Sequence, residues 1–84
     1  MDRFEILKSI EHLVNQLREN KGAKPIAMQE GTSLLRGDAG FDSLDLAALV
    51  VELEVTTGCD PFKQGFVDFD TAGELADLFA GTEA

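Results

Sequence analysis

The stretch Gly40-Phe41-Asp42-Ser43-Leu44-Asp45-Leu46-Ala47-Ala48-Leu49-Val50-Val51-Glu52-Leu53-Glu54-Val55 decides how this chain folds. Asp and Ser are both favoured at a helix N-cap, where a side-chain oxygen accepts an otherwise unpaired backbone N–H. The Asp42–Ser43 boundary therefore predicts a helix start, and Asp45 adds favourable negative charge to the first turn. Leu46, Leu49, Val50 and Leu53 recur at three- and four-residue spacing and predict a core-facing stripe. Leu44, Ala48, Val51 and Val55 form a second, offset stripe. The pattern carries the helix to about Thr57, and Gly58 ends it.

Upstream, residues 2–19 predict another amphipathic helix. Phe4, Leu7, Ile10, Val14 and Leu17 make its stripe, widened by Ile6 and Leu13, with Asp2 at its mouth and Gly22 after its end. Between the two helices, residues 21–41 contain Gly22, Pro25, Gly31, Gly37 and Gly40, which exclude a long regular element. Connections this long are usually functional or internally packed. Ile26, Met28, Leu34, Leu35 and Phe41 are its apolar anchors, and a short helical turn is expected at 32–36. Downstream, Cys59-Asp60-Pro61-Phe62 reads as a turn that suits a short helix limited by Gly65, followed by a weak stretch through Gly65-Phe66-Val67. The last helix starts near Thr71, where Thr71 and Glu74 match a capping box. Leu75, Leu78 and Phe79 supply its apolar face, and Gly81 ends it. The fold class expected is all-α: a small bundle of three to four helices with a long loop between the first and second. Residues 1–84 are expected to form one domain.

Charge is unevenly distributed. Residues 1–37 carry six basic and five acidic groups, whereas residues 38–84 carry eleven acids and only Lys63 as a base, for a net −9 over the chain. Such an acidic field repels phosphate backbones and anionic lipid, so nucleic acid and membrane surfaces are not expected partners. It steers toward basic patches on other proteins, or simply maintains solubility. One cysteine, Cys59, excludes an intrachain disulfide. No apolar run is long enough to span a membrane or to form a signal-peptide core, and the expected compartment is the cytoplasm.

Inventory removes most catalytic chemistry. His12 is the single histidine, and its neighbours Glu11 and Asn15 place it on a polar helix face, so a Ser-His-Asp site has no base. No phosphate-cradling Gly-x-x-x-x-Gly-Lys loop occurs. Asp38, Asp42 and Asp45, or Asp68 and Asp70, are acid clusters, but neither completes an EF-hand loop, and no metal site is expected. Ser43 remains. A serine at a helix N-terminus after a Gly-rich loop is approachable, and a phosphate there would meet the positive end of the helix dipole. Its commoner role at such a spot is that of an ordinary N-cap.

At these residues the sequence resembles the acyl and peptidyl carrier proteins. Asp42-Ser43-Leu44-Asp45, preceded by Gly40-Phe41, is similar to that family's Asp-Ser-Leu attachment motif, and helix order and length agree over nearly the whole chain. The resemblance implies a single carrier domain over residues 1–84, with 4'-phosphopantetheine transferred from coenzyme A to Ser43. The arm's thiol would hold acyl or aminoacyl groups as thioesters, and the chain itself would not be an enzyme. Implied partners are a phosphopantetheinyl transferase, a loading ligase for acyl or aminoacyl groups, and downstream transferases with basic docking patches; the carrier would act as a monomer. Asp42, Asp45, Glu52 and Glu54 are the charged candidates for that docking surface, and Leu44 and Val51 the apolar ones. Ala48 and Val55 stand where fatty-acid carriers more often have Glu, which points to a dedicated biosynthetic pathway. The alternative from another class is an acidic helical adaptor without a prosthetic group, docking partners through the Ser43–Val55 helix.

Overall fold

The computed structural model describes residues 2–35, 37, 39–63, 65 and 67–81. It contains three helices: α1 (Arg3–Asn20), α2 (Ser43–Thr57) and α3 (Ala72–Ala80). Each begins with the same device. Asp2, Asp42 and Thr71 accept the N–H three residues on, while Glu5, Asp45 and Glu74 return a side chain to the cap's own N–H. Two otherwise orphaned donors are thereby satisfied at every start. Gly58 closes α2 in the left-handed conformation (φ 72°), where a Cβ would be strained.

Helix α1 packs against both other helices. Ile6, Ile10, Leu13 and Val14 of α1 meet Leu49 and Leu53 of α2 and Ala72, Leu75, Ala76 and Phe79 of α3, and loop residues Leu34, Ala39 and Phe41 complete the core. Burying one such large side chain stabilises the fold by about 1.5–3 kcal/mol before chain entropy opposes it.

The core differs from the expected stripes in two places. Phe4 is 67% exposed, because the buried face of α1 is rotated toward Ile6 and Leu13, where α3 and the loop arrive. Its ring instead lies beneath the Lys8 ammonium, 5.6 Å from the centroid. Ala72, Gly73 and Ala76 are buried although too small to announce a face; their size lets the loop backbone approach α3.

The expected helical turn at 32–36 is also corrected. Through Leu35 the chain is extended, Ser33 bridging antiparallel to Thr71 and Leu35 parallel to Phe41; Arg36 lies outside the described residues. Leu34 N–H donates to the Asp70 carbonyl and Ala72 N–H to the Thr32 carbonyl, both at 2.9 Å. Backbone groups that a local turn would pair are paired across the fold to the entry of α3. Around Pro61 there is a turn over 61–63 and no fourth helix among the described residues, with Phe66 outside them.

The polar face of α1 holds the rest of the loop. Asn15 both accepts from Ile26 N–H (2.8 Å) and donates to the Ile26 carbonyl (3.0 Å), and Glu11 accepts from Met28 N–H (2.8 Å). Arg18 donates to the carbonyls of Lys24 and Ala39. Arg3 adds ion pairs to Glu30 and Asp77, tying the loop to α3. No helix among the described residues is long and apolar enough to cross a membrane.

Candidate functional site

Ser43 is the first residue of α2 and is exposed. The capping work at this end belongs to Asp42, whose Oδ1 accepts Asp45 N–H at 2.9 Å. Ser43 therefore stands one position inside the helix, with no cap to supply, so the ordinary N-cap role does not account for its hydroxyl. The preceding Gly40 takes a left-handed φ of 69°, which turns the loop into the helix start.

Asp42 and Asp45 are held differently from free surface acids. Asp45 returns its carboxylate to Asp42 N–H at 3.1 Å and forms an ion pair with Lys21, leaving its side chain only 12% exposed. The hydrogen bond from the Lys21 ammonium, and after it the one from Asp42 N–H, hold the Asp45 carboxyl below the usual carboxylate range. Lys21 also lies 5.9 Å from the centre of the buried Phe41 ring. Asp45 thus braces the end of α1 against the start of α2, while Asp42 bonds within the cap.

Beside Ser43 opens a cleft of about 560 Å³ between α2 and the segment that leads to α3. Leu46, Val50, Phe62 and Phe69 give it apolar walls, and Glu54 and Asp68 are its acidic members. Phe62 stacks on Phe69 with ring centres 6.1 Å apart and meets the buried Phe79 edge-on at 6.3 Å, so the wall facing α2 is anchored in the core. Desolvation, aided by contact with the Asp60 carboxyl, pushes Glu54 above its ordinary range.

A family model described as the phosphopantetheine attachment site matches residues 11–79. The chain belongs to that family. It is a carrier with a covalently attached 4'-phosphopantetheine, and carriers of this family are not themselves enzymes. No curated protein and no solved structure matches the chain.

The remaining expected docking residues are distributed over the outer faces of the carrier's α2. Leu44 is 81% and Val51 56% exposed, and Val55, next along that stripe, is 77% exposed. Glu52 is exposed as well, whereas Glu54 is half-buried and belongs to the cleft. The expected docking acids thus divide into groups bound in the cap, one in the cleft and one in open solvent. Sequence reasoning missed the cleft-forming part of the 60s segment. Phe62 and Phe69 stand seven apart, a helical spacing, but Gly65 between them takes a φ of 136° that no continuous helix allows, so the spacing did not reveal the cleft.

Proposed function

We infer that Ser43 is the attachment residue and that residues 1–84 work as a single carrier domain, holding acyl or aminoacyl groups as thioesters for partner enzymes of a dedicated biosynthetic pathway. The observation that carries this reading is the position of Ser43: exposed, just inside a helix whose cap is already supplied by Asp42, at the mouth of an apolar cleft. A phosphodiester there lies by the unpaired N–H groups and positive dipole end of α2. The arm supplies a thiol that forms and exchanges thioesters. The residues of the chain present the arm, shield its cargo along Leu46, Val50 and Phe69, and offer Leu44 and Val51 to partners. Glu52 and the second lone pairs of the Asp42 carboxylate supply charge at the rim of that apolar stripe.

The partners inferred are a phosphopantetheinyl transferase, a loading ligase and downstream transferases, acting in the cytoplasm on a monomeric carrier. Coenzyme A with a broad-specificity transferase is expected to add one phosphopantetheine, seen by intact mass, and Ser43→Ala to abolish the gain. Retention of the gain in Ser43→Ala would overturn the assignment of the serine.

A further inference from the structure

A phosphodiester on Ser43 adds a third negative charge to a place that already holds two. Asp42 and Asp45 flank the serine, and their reciprocal hydrogen bonds fix both carboxylates at the helix start. Neither can swing away from the new charge without giving up an N–H of the cap. The helix dipole offsets part of the repulsion. The first turn of α2 supplies no base, since residues 43–46 are Ser, Leu, Asp and Leu.

The base comes from the end of α1. Lys21 is the C-cap of that helix, its N–H donating to the Arg18 carbonyl at 3.0 Å. Its ammonium donates to Asp45 Oδ2, the same oxygen that accepts Asp42 N–H. One carboxylate oxygen therefore separates the ammonium from the amide next to Ser43, well inside the screening length of about 8–10 Å at ordinary salt. Its position over the buried Phe41 ring holds the ammonium near this oxygen. The side chain is still 47% exposed, and the Asp45 bond uses only one of its three donors. The other α1 bases are engaged elsewhere: Arg3 with Glu30 and Asp77, Lys8 with Glu11, and Arg18 with loop carbonyls. Among the described residues, Lys21 alone makes an ion pair at the start of α2.

We propose that Lys21 is the counter-charge of the phosphodiester, a positioning residue on α1 that keeps the α2 cap closed once Ser43 carries the arm. This inference rests on attachment at Ser43. Without the ammonium, the modified serine stands between two carboxylates that no base offsets, and opening the cap relieves the repulsion. In the unmodified chain the same loss removes the pair with Asp45 and nothing more.

The test compares the full chain with and without the arm, added from coenzyme A by a broad-specificity transferase in excess and verified by intact mass. Lys21→Met keeps the aliphatic stem and removes the charge. At low salt its urea midpoint is expected to fall about twice as far in the modified chain as in the unmodified one, because two charge pairs are lost instead of one. High salt should remove the excess. The phosphorus resonance of the phosphodiester should shift in Lys21→Met and stay in place in Lys24→Met, a change at an exposed lysine three residues on. Lys21→Arg should restore both readouts. In an Asp45→Asn background the excess loss should persist, because the charge acts on the phosphodiester itself. Equal losses with and without the arm, an unmoved phosphorus resonance, or an excess that disappears in Asp45→Asn would reduce Lys21 to a brace for Asp45 and overturn this inference alone. Failure of the wild-type chain to gain any phosphopantetheine mass, or a gain that persists in Ser43→Ala, would overturn the attachment reading and this inference with it.

Discussion

Asp42 and Asp45 bond reciprocally across Ser43, each carboxylate accepting the other residue's backbone N–H at 2.9 and 3.1 Å. Two like charges are held together there because each satisfies an amide that the helix leaves unpaired, and because Lys21 neutralises Asp45. The consequence is a division of labour over three consecutive positions. Asp42 starts the helix, Ser43 is left exposed, and Leu44 extends into solvent.

That division predicts unequal costs for neighbouring substitutions. Asp42→Ala removes the cap and is expected to lower stability by about 1 kcal/mol, whereas Ser43→Ala is expected to stay within about 0.5 kcal/mol of the unmodified parent. Urea denaturation followed by helical circular dichroism measures both. Equal losses would show that the serine shares the capping role.

The two faces of α2 should respond in opposite ways. Leu49 is fully buried, and Leu49→Ala is expected to cost about 2–5 kcal/mol. Val51→Asp, on the exposed stripe, is expected to change stability by no more than about 0.5 kcal/mol while weakening binding of a phosphopantetheinyl transferase. Calorimetric unfolding and titration of the two variants with the enzyme separate these effects.

Gly73→Ala tests the close approach of the loop to α3. An added Cβ would lie 2.8 Å from the Glu30 carbonyl oxygen and 3.0 Å from Glu30 Cβ. Gly73 N–H also donates to that carbonyl at 2.8 Å, so the loop cannot simply withdraw. Alanine ordinarily favours a helix over glycine by about 1 kcal/mol; here overpacking should reverse the sign and cost about 1–3 kcal/mol. A raised urea midpoint would contradict the packing described.

The acids predict opposing pH dependences. Asp45 is held down first by its hydrogen bond from Lys21, and Glu74 first by the Thr71 N–H. A depressed carboxyl stabilises the fold above its unfolded pKa of about 4 and loses that contribution as pH falls through the lower folded value. Asp45→Asn should therefore reduce stability at neutral pH and flatten the acid-side loss.

Glu54 runs the other way, being raised by desolvation and then by Asp60. The ionised form is disfavoured in the fold, so its penalty applies above the folded pKa and is relieved as pH falls through it toward the unfolded value. Glu54→Gln is expected to raise the urea midpoint slightly at neutral pH and to lose that advantage in mild acid. A midpoint difference independent of pH would rule out this origin.

Much of the fold and part of the site can be read from residue order because their causes are local. Cap residues at the helix starts, the one capping box read at Thr71 and Glu74, terminating glycines and apolar periods placed all three helices within a residue or two of where they stand. The Gly40–Asp45 motif pointed to the carrier family by the same kind of short-range pattern. The path of residues 21–41 was less legible. Asn15, Glu11 and Arg18 look like a solvated helix face, yet their side chains carry the loop backbone. That role depends on partners six to twenty-one residues away, and no period announces it.

What the sequence by itself determined is where the helices start and stop, which family the motif belongs to, and that the acids crowd into residues 38–84. Those properties follow from hydrogen-bond donors and apolar side chains only a few positions apart. What the tertiary structure alone decided is how those acids are used. The meeting of α1 and α2 puts Lys21 on Asp45, and the anchoring of Phe62 on Phe69 and Phe79 opens a cleft with Glu54 in its wall. A carboxylate's role depends on what lies within a few ångströms of it, and that distance is set by packing between segments far apart in the chain.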